Sequence, residues 1–586
     1  MRALKTIVLL SGQLWTLAAP ASMAHAAEAD RQPSAFAATV ADSRLPVMVY
    51  FTDKGIQGKG GLQAALNARR AQFSARALKR RAKMGLAGMT FEDLSVSMDY
   101  VRQIEALGAR RRQTLNWFNA ASFEMTGSQA QTAAGLGFVK RIDMLASYRK
   151  ALEPEAPILP EPAPASPPSK AHLLNYGPSF TQDSLINVPI CHDSGYSGSG
   201  VLVAMFDNGF YKSHPAFDSI LSSVRMVDEW DFYLNSPSVD SVVHGTRTWS
   251  AAGGYVPGQL IGPAYKSSWA IYRTEVDAFE QNVEEDYWAA ALQRADSIGA
   301  DVISSSLGYR NFDAGQHSYP YSELDGNTAI CTQAARHAAA LGIIVCNAMG
   351  NSGPSNGTIL APSDADSILS IGAVNSSGII TGFSSRGPTY DGRPKPEVCA
   401  QGLFTYLADT GNVAQYNYYN GTSYATPLVA GACALVLEAH PEWTPLQVRE
   451  ALMMTASRAS NPDSSAYGWG VIDAWAAIHY GGSGVGHDHP GITASPALSL
   501  SCRPNPARSG TVLSFVMPRS GGAAVSVYDI AGRLVRELPA VRLSAGPGEV
   551  RWDGRDRAGY QAVSGVYLCR VNAGGRTGIV KAVLLR

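Results

Sequence analysis

Charge is scarce in this chain. Only 16% of its 586 residues are Asp, Glu, Lys or Arg, against about a quarter in an ordinary soluble protein. The charge present is balanced, 48 basic residues against 48 acidic, which excludes a chain-wide polyelectrolyte surface for nucleic acid or acidic lipid. Cysteine is sparse as well. The seven cysteines (191, 331, 346, 399, 433, 502 and 569) include no CxxC or CxxH pair, which argues against a zinc site. After the N-terminal segment no run reaches the roughly 18 apolar residues of a membrane span. Hydrophobic residues at 46% and 57 glycines exclude a disordered or collagen-like chain. At roughly 150 residues per domain, the length suggests about four units.

The units are visible in the sequence. Met1–Ala26 has Arg2 and Lys5, an apolar stretch from Ile7 to Ala19, and Ala24-His25-Ala26 as an A-x-A cleavage site. That is a secretory signal peptide, so the mature protein is expected to be secreted or at the cell surface. Residues 27–152 read as a small α/β unit of strand, helix, helix, strand. Its pieces are Leu45–Phe51, a basic helix over Ala64–Met84, a helix over Asp99–Leu107 and a strand over Gly137–Ile142. Pro154–Ser169 is proline-rich, and residues 153–170 form a linker open to proteases.

Residues 171–480 alternate continuous apolar strands with helices, the pattern of a parallel sheet covered on both faces. The predicted fold class is therefore α/β, a doubly wound, mainly parallel sheet. Residues 481–497 form a second linker. Residues 498–586 have short alternating strands and turn signals, a small β-sandwich. From Ser501 onward, 13 basic residues face 5 acidic ones. Cys502 and Cys569 lie in its first and a late strand, and spacing alone does not decide whether they pair.

In parallel sheets, functional residues collect beyond the carboxyl ends of the strands. The strand Val201–Phe206 ends in Asp207-Asn208-Gly209, and Ile343–Cys346 leads to Gly350-Asn351. His244-Gly245-Thr246 opens a small-residue helix, and Gly421-Thr422-Ser423 opens another. A serine hydroxyl becomes a nucleophile when a base takes its proton and a carboxylate orients that base. An asparagine amide then donates to the developing oxyanion, a contribution of roughly 10²–10³ in rate. His214, in Ser213-His214-Pro215, competes for the base role without a helix to carry it. The order Asp207, His244, Asn351, Ser423 excludes an α/β-hydrolase, where serine comes first within Gly-x-Ser-x-Gly.

These motifs resemble those of subtilisin-family (subtilase) serine proteases. The matching stretches are VAMFDNGF, HGTRTWSAAGG, CNAMGNSGP and GTSYATPLVAG, with SSSLG, FSSRGP and KPEV in support. Asn208 stands where threonine is commoner, and the histidine motif is loose after Thr246. The resemblance implies Ser423 as nucleophile, His244 as general base and acid, Asp207 as its orienter and Asn351 as oxyanion donor. It implies that Ser306, Leu307 and Gly308 pair with the substrate backbone. Protein or peptide substrates, no nucleic-acid partner and no catalytic metal or cofactor follow, with structural calcium left open. Asn356–Ser363, where the resemblance places pocket walls, departs from the family pattern.

The segment before the linker is similar to a subtilase propeptide, an intramolecular inhibitor. The tail, with RPNPA, VYDIAGRLVREL, WDGRDRAG and SGVYLCRV, resembles FlgD-like immunoglobulin modules. That implies a type IX secretion signal, with the secretion machinery as partner. The acidic run Glu275, Asp277, Glu280, Glu284, Glu285, Asp286 reads as a solvated helix face, or as a pocket wall for basic substrates. A binding protein that has lost activity, and an esterase or transpeptidase on the same site, are the alternative functions.

Overall fold

The structure, a computed structural model, describes residues 44–86, 88–144, 172–240, 244–277, 281–311, 318–410, 415–481, 500–505, 507–517, 521–529, 534–544, 546–557, 559–573 and 576–585. The signal peptide, the proline-rich linker, Glu280 and nearly all of the second linker lie outside the described residues.

The N-terminal unit departs from the expected strand, helix, helix, strand. Its elements are β1 (Leu45–Phe51), α1 (Gly58–Ala71), α2 (Ala75–Lys83), α3 (Met98–Glu105), β2 (Arg110–Leu115), β3 (Ala120–Met125), α4 (Gly127–Ala134) and β4 (Val139–Met144). The sheet is antiparallel, in the order β2-β3-β1-β4. The predicted single basic helix is two, because Ser74 caps α2 by accepting from the Ala77 N–H. β1 is apolar throughout because both its faces are covered. Val47, Val49 and Phe51 enter the unit's own core, while Met48 joins the core of the next domain and Tyr50 packs against it.

The central domain is built on seven parallel strands. They are β5 (Leu202–Asp207), β6 (Met226–Asp231), β7 (Ser268–Arg273), β8 (Val302–Ser305), β9 (Ile344–Ala348), β10 (Leu369–Val374) and β11 (Val398–Gln401). Their order is β11-β10-β9-β8-β5-β7-β6. Successive residues of β5 serve opposite faces. Val203 and Met205 pack with α8 (Thr422–Ala439), and Ala204 and Phe206 pack with α6 (Val283–Ile298) and α7 (Ile330–Ala340). Burial on both faces accounts for strands without polar alternation. The remaining helix that matters here is α5 (His244–Gly253).

The N-terminal sheet lies on α6 and α7, and α2 holds their C-terminal ends. Helix ends expose unpaired carbonyls that arginine suits well. Arg80 donates to the Ala300 and Leu341 carbonyls at 2.6 and 3.3 Å, and Arg76 to the Gly299 carbonyl at 2.9 Å. Gly299 has φ +91°, and a Cβ there would lie 2.6 Å from the Ala77 nitrogen, so the approach requires glycine. Arg80 and Arg81 both pair with Asp296, and Arg81 also with Asp93 at 2.6 Å.

The C-terminal unit is the expected sandwich. One sheet holds Leu500–Arg503, Thr511–Met517 and Gly546–Trp552, and the other Leu534–Leu543, Gly521–Asp529, Gly565–Ala573 and Arg576–Leu584. Cys502 and Cys569 are both buried free thiols within its core, and the other five cysteines are also unpaired.

Candidate active site

The site forms where β5 ends against the start of α5. Asp207, the last residue of β5, is fully buried, and its Oδ1 lies 2.7 Å from His244 Nδ1. The other oxygen, Oδ2, accepts from Thr248 Oγ1 at 2.8 Å. Thr248 is one helical turn beyond His244, so both side chains share the α5 face toward Asp207. Gly245 permits this closeness, since a Cβ there would sit 2.1 Å from the Gly209 carbonyl oxygen. Asn208 locks the junction, accepting from the Gly245 N–H at 3.2 Å and donating to Asp277 at 2.8 Å. The loosely matched end of α5 is well packed, with Trp249 stacked 3.8 Å from Phe217 and Arg247 3.6 Å over Tyr419.

Burial opposes charge on His244, but the Asp207 carboxylate, through its charge and its hydrogen bond, more than offsets this. The imidazole pKa is therefore raised above its ordinary value.

Ser423 is the second residue of α8, and His244 lies 5.7 Å, ring to ring, from the adjacent Tyr424. The Ser423 hydroxyl donates to the Ser306 carbonyl at 3.3 Å, and the Ser306 hydroxyl donates to the Ser423 carbonyl at 2.7 Å. In this structure no hydrogen bond joins Ser423 to His244, a contact that often tightens only with substrate bound. Asn351 Oδ1 accepts from the backbone and hydroxyl of Thr422 at 3.0 and 3.1 Å. The carboxamide is thus anchored by its oxygen beside Ser423, leaving Nδ2 to donate. The Gly350–Ser352 turn is braced by the FSSRGP segment, with Ser385 N donating to the Gly350 carbonyl at 2.9 Å and Ser385 Oγ accepting from Ser352 N at 3.0 Å.

Ser306, Leu307 and Gly308 continue the chain past β8, and Asn347 Nδ2 holds the Leu307 carbonyl at 3.0 Å. The fold thus gathers Asp207 with His244, and Ser423 with Asn351 and Ser306.

Known protein families match three parts of the chain. Residues 198–470 match the subtilase family, residues 46–157 the peptidase S8 propeptide domain of Bacteroidota, and residues 509–576 the FlgD Ig-like domain. Subtilisin J of Geobacillus stearothermophilus is 34% identical over 296 residues, half of this chain and 70% of that protein. The chain belongs to the subtilase family. The subtilisin of Bacillus pumilus is likewise 34% identical, over 50% of this chain and 96% of its own length. The serine protease AprX of Bacillus subtilis is 28% identical over 306 residues, 47% of this chain and 66% of that protein. As a subtilase, this chain is a serine-type endopeptidase with a propeptide domain ahead of its catalytic domain.

His214 remains the weaker candidate for the base, because its Nδ1 accepts from Ala216 N at 3.1 Å and its Nε2 donates to the Gln415 carbonyl at 2.9 Å. One sequence-based expectation changes. The helical end of the acidic run is not a solvated face, since Glu284, Glu285 and Asp286 are at most 1% exposed, while Asp277 ahead of it is exposed. Glu284 accepts from the backbone of Val276 and Gln281, and Glu285 from the Tyr319 hydroxyl at 2.8 Å. Asp286 lies beneath the propeptide near Arg112 and Ser122, and burial pushes its carboxyl well above the usual range. The KPEV motif is a structural brace, in which Lys395 and Arg449 both pair with Glu397, at 2.8 and 3.0 Å.

The roles of Thr248 on Asp207 and of Thr422 on Asn351 emerge only from the fold. Position i+4 from the histidine was the available signal for Thr248. Among the described residues no group of three or more His, Cys, Asp or Glu side chains is placed to hold a metal ion.

Proposed function

We propose that Ser423, His244, Asp207 and Asn351 carry out peptide-bond hydrolysis in this subtilase. Ser423 Oγ attacks the carbonyl carbon of the scissile bond while His244 Nε2 takes its proton. Asp207 holds Nδ1, so the ring presents Nε2 and the imidazolium is stabilised as it forms. The oxyanion accepts from Asn351 Nδ2. The C–N bond then breaks as His244 returns the proton to the leaving amine, leaving an acyl-enzyme on Ser423. Water hydrolyses that ester by the same base. The substrate backbone runs along Ser306-Leu307-Gly308. The 2.7 Å Asp207–His244 hydrogen bond, beside the helix start that carries Ser423, is the observation on which the reading rests.

The reading extends to the flanking units. The propeptide inhibits the enzyme until the linker at 153–170 is cut. The protein is exported to the medium or the cell surface, and the C-terminal module, residues 498–586, engages a type IX secretion machinery.

A fluorophosphonate probe, which phosphonylates activated serines, tests the site. It should label the processed protein on Ser423, as read by peptide mapping, and label neither Ser423→Ala nor His244→Ala. Casein cleavage by the Ser423→Ala protein would overturn the assignment. Asn351→Ala should lose on the order of 10²–10³ in kcat with little change in KM, the magnitude known from subtilisin itself.

A further inference from the structure

Leu360 fills the space between the two segments that follow β8 and β9. β8 and β9 run parallel with Ser305 beside Asn347, and beyond that point they lead to Leu307-Gly308 and to Met349-Gly350. The two glycines face one another across a single side chain. A methyl group built on Gly308 would lie 2.7 Å from Leu360 Cδ1 and 2.8 Å from its Cβ. One built on Gly350 would lie 2.7 Å from the same Cδ1 and 2.8 Å from Cγ. Leu360 thus spans the whole width between the two segments, and it is 6% exposed.

The leucine is held from both sides in sequence. Ala361 exchanges two backbone hydrogen bonds with Tyr309, at 2.7 and 3.0 Å. Arg310 Nη1 donates to the Gly357 and Ile359 carbonyls, at 2.5 and 3.2 Å. With the backbone fixed on either side, Leu360 is held in place between the two segments.

With the scissile carbonyl between Ser423 Oγ and Asn351 Nδ2, and the substrate backbone along Ser306–Gly308, the acyl-side residue directs its side chain between Gly308 and Gly350. We propose that Leu360 is a specificity-determining residue that restricts this position to small side chains: glycine, alanine and serine. The inference rests on the placement of Ser423, Asn351 and Ser306–Gly308 proposed above. An apolar pocket discriminates by roughly 10–200-fold per methylene it admits or refuses, so bulk at its floor has a large effect on selectivity.

The test uses the processed, full-length enzyme with a series of peptides differing only at the acyl-side residue: Gly, Ala, Ser, Leu and Phe. The wild type is expected to give a kcat/KM at least ten-fold higher for Ala than for Phe or Leu. Leu360→Ala is expected to raise the Phe-to-Ala ratio at least ten-fold. Leu360→Val, a smaller change less prone to misfold, should raise the Leu-to-Ala ratio in the same direction. A wild type that cleaves after Phe as well as after Ala overturns the proposal without any variant. So does a folded Leu360→Ala enzyme with an unchanged ratio. If Ser423→Ala is inactive while the wild type favours Phe, only the role of Leu360 falls. If Ser423→Ala still cleaves, the site reading itself falls.

Discussion

Ser306 and Ser423 hold one another, and Pro427 explains why. In a regular helix the N–H of residue 427 would donate to the carbonyl of residue 423, but proline has no N–H. The helix starts at Thr422, which puts Pro427 in its second turn rather than its first. The Ser306 hydroxyl supplies the missing donor at 2.7 Å, and the Ser423 hydroxyl reaches the Ser306 carbonyl in return.

Ser306→Ala should therefore leave a buried carbonyl unpaired and destabilise the protein by about 1–3 kcal/mol. Pro427→Ala restores the N–H, so the double variant is expected to regain most of that loss. Denaturant unfolding of the two single variants and the double variant measures the coupling. Additive losses would show that the hydroxyl and the proline are unrelated.

Thr248 holds the Asp207 oxygen that His244 does not use. Thr248→Val keeps the shape and deletes a hydrogen bond to a charged group, an interaction of about 1.5–3 kcal/mol. We expect kcat to fall about ten-fold with KM little changed, and Thr248→Ser to restore it. Equal activity of the Val and wild-type enzymes would show that Asp207 is held by other contacts.

As the proposed base, His244, with its pKa raised by Asp207, should set the acid limb of the pH profile. Catalysis needs the neutral ring, so kcat/KM should rise with pH through a midpoint above the ordinary histidine value of about 6.5. Asp207→Asn removes the carboxylate and leaves burial, which disfavours the imidazolium. The midpoint should move to lower pH while the plateau rate falls steeply. The linkage to stability runs the other way. His244 is more basic folded than unfolded, so its contribution to stability is complete below the unfolded pKa and is lost as pH rises through the folded one. A midpoint that stays put in Asp207→Asn would argue against the pair.

Asp296 is the anchor of the propeptide helix α2, with Arg80 and Arg81 both upon it at 1–2% side-chain exposure. Replacing both arginines with alanine leaves that carboxylate buried and uncompensated while the propeptide is bound, but hydrated once the propeptide leaves. Breaking a buried pair costs about 3–5 kcal/mol, so the propeptide should bind the mature domain more weakly by on the order of 10²–10³. The measured quantity is the lag between linker cleavage and full activity, which should shorten markedly. An unaltered lag would place the holding energy in the sheet contacts of Met48, Leu115 and Trp117 instead.

The C-terminal sandwich has its own core around Leu513, Trp552 and Cys569. Truncation after Gly482 should leave kcat/KM of a refolded, processed enzyme unchanged and keep the protein inside the producing cell. Fractionation of the culture checks the second expectation, and normal export of the truncated chain would remove the sorting role.

The residues proposed to carry the chemistry stand out in the sequence because each needs one residue type at one chain position: an acid closing a buried strand, a histidine and a serine opening helices, an amide after a strand. The parallel sheet was legible because strands buried on both faces lose their polar alternation. Other features depend on what comes to lie against them. β2, with the sequence RRRQTL, has no apolar alternation, and it became a strand because β3 offered an edge and α6 a surface. Glu284, Glu285 and Asp286 have the pattern of a wet helix face, and it is dry because the backbone of Val276 and Gln281, the segment around Tyr319 and the propeptide sheet come to lie against it. Leu360 is an ordinary leucine in sequence. Its importance comes from two glycines, 52 and 10 residues before it, whose missing side chains leave a gap that only the folded chain brings together.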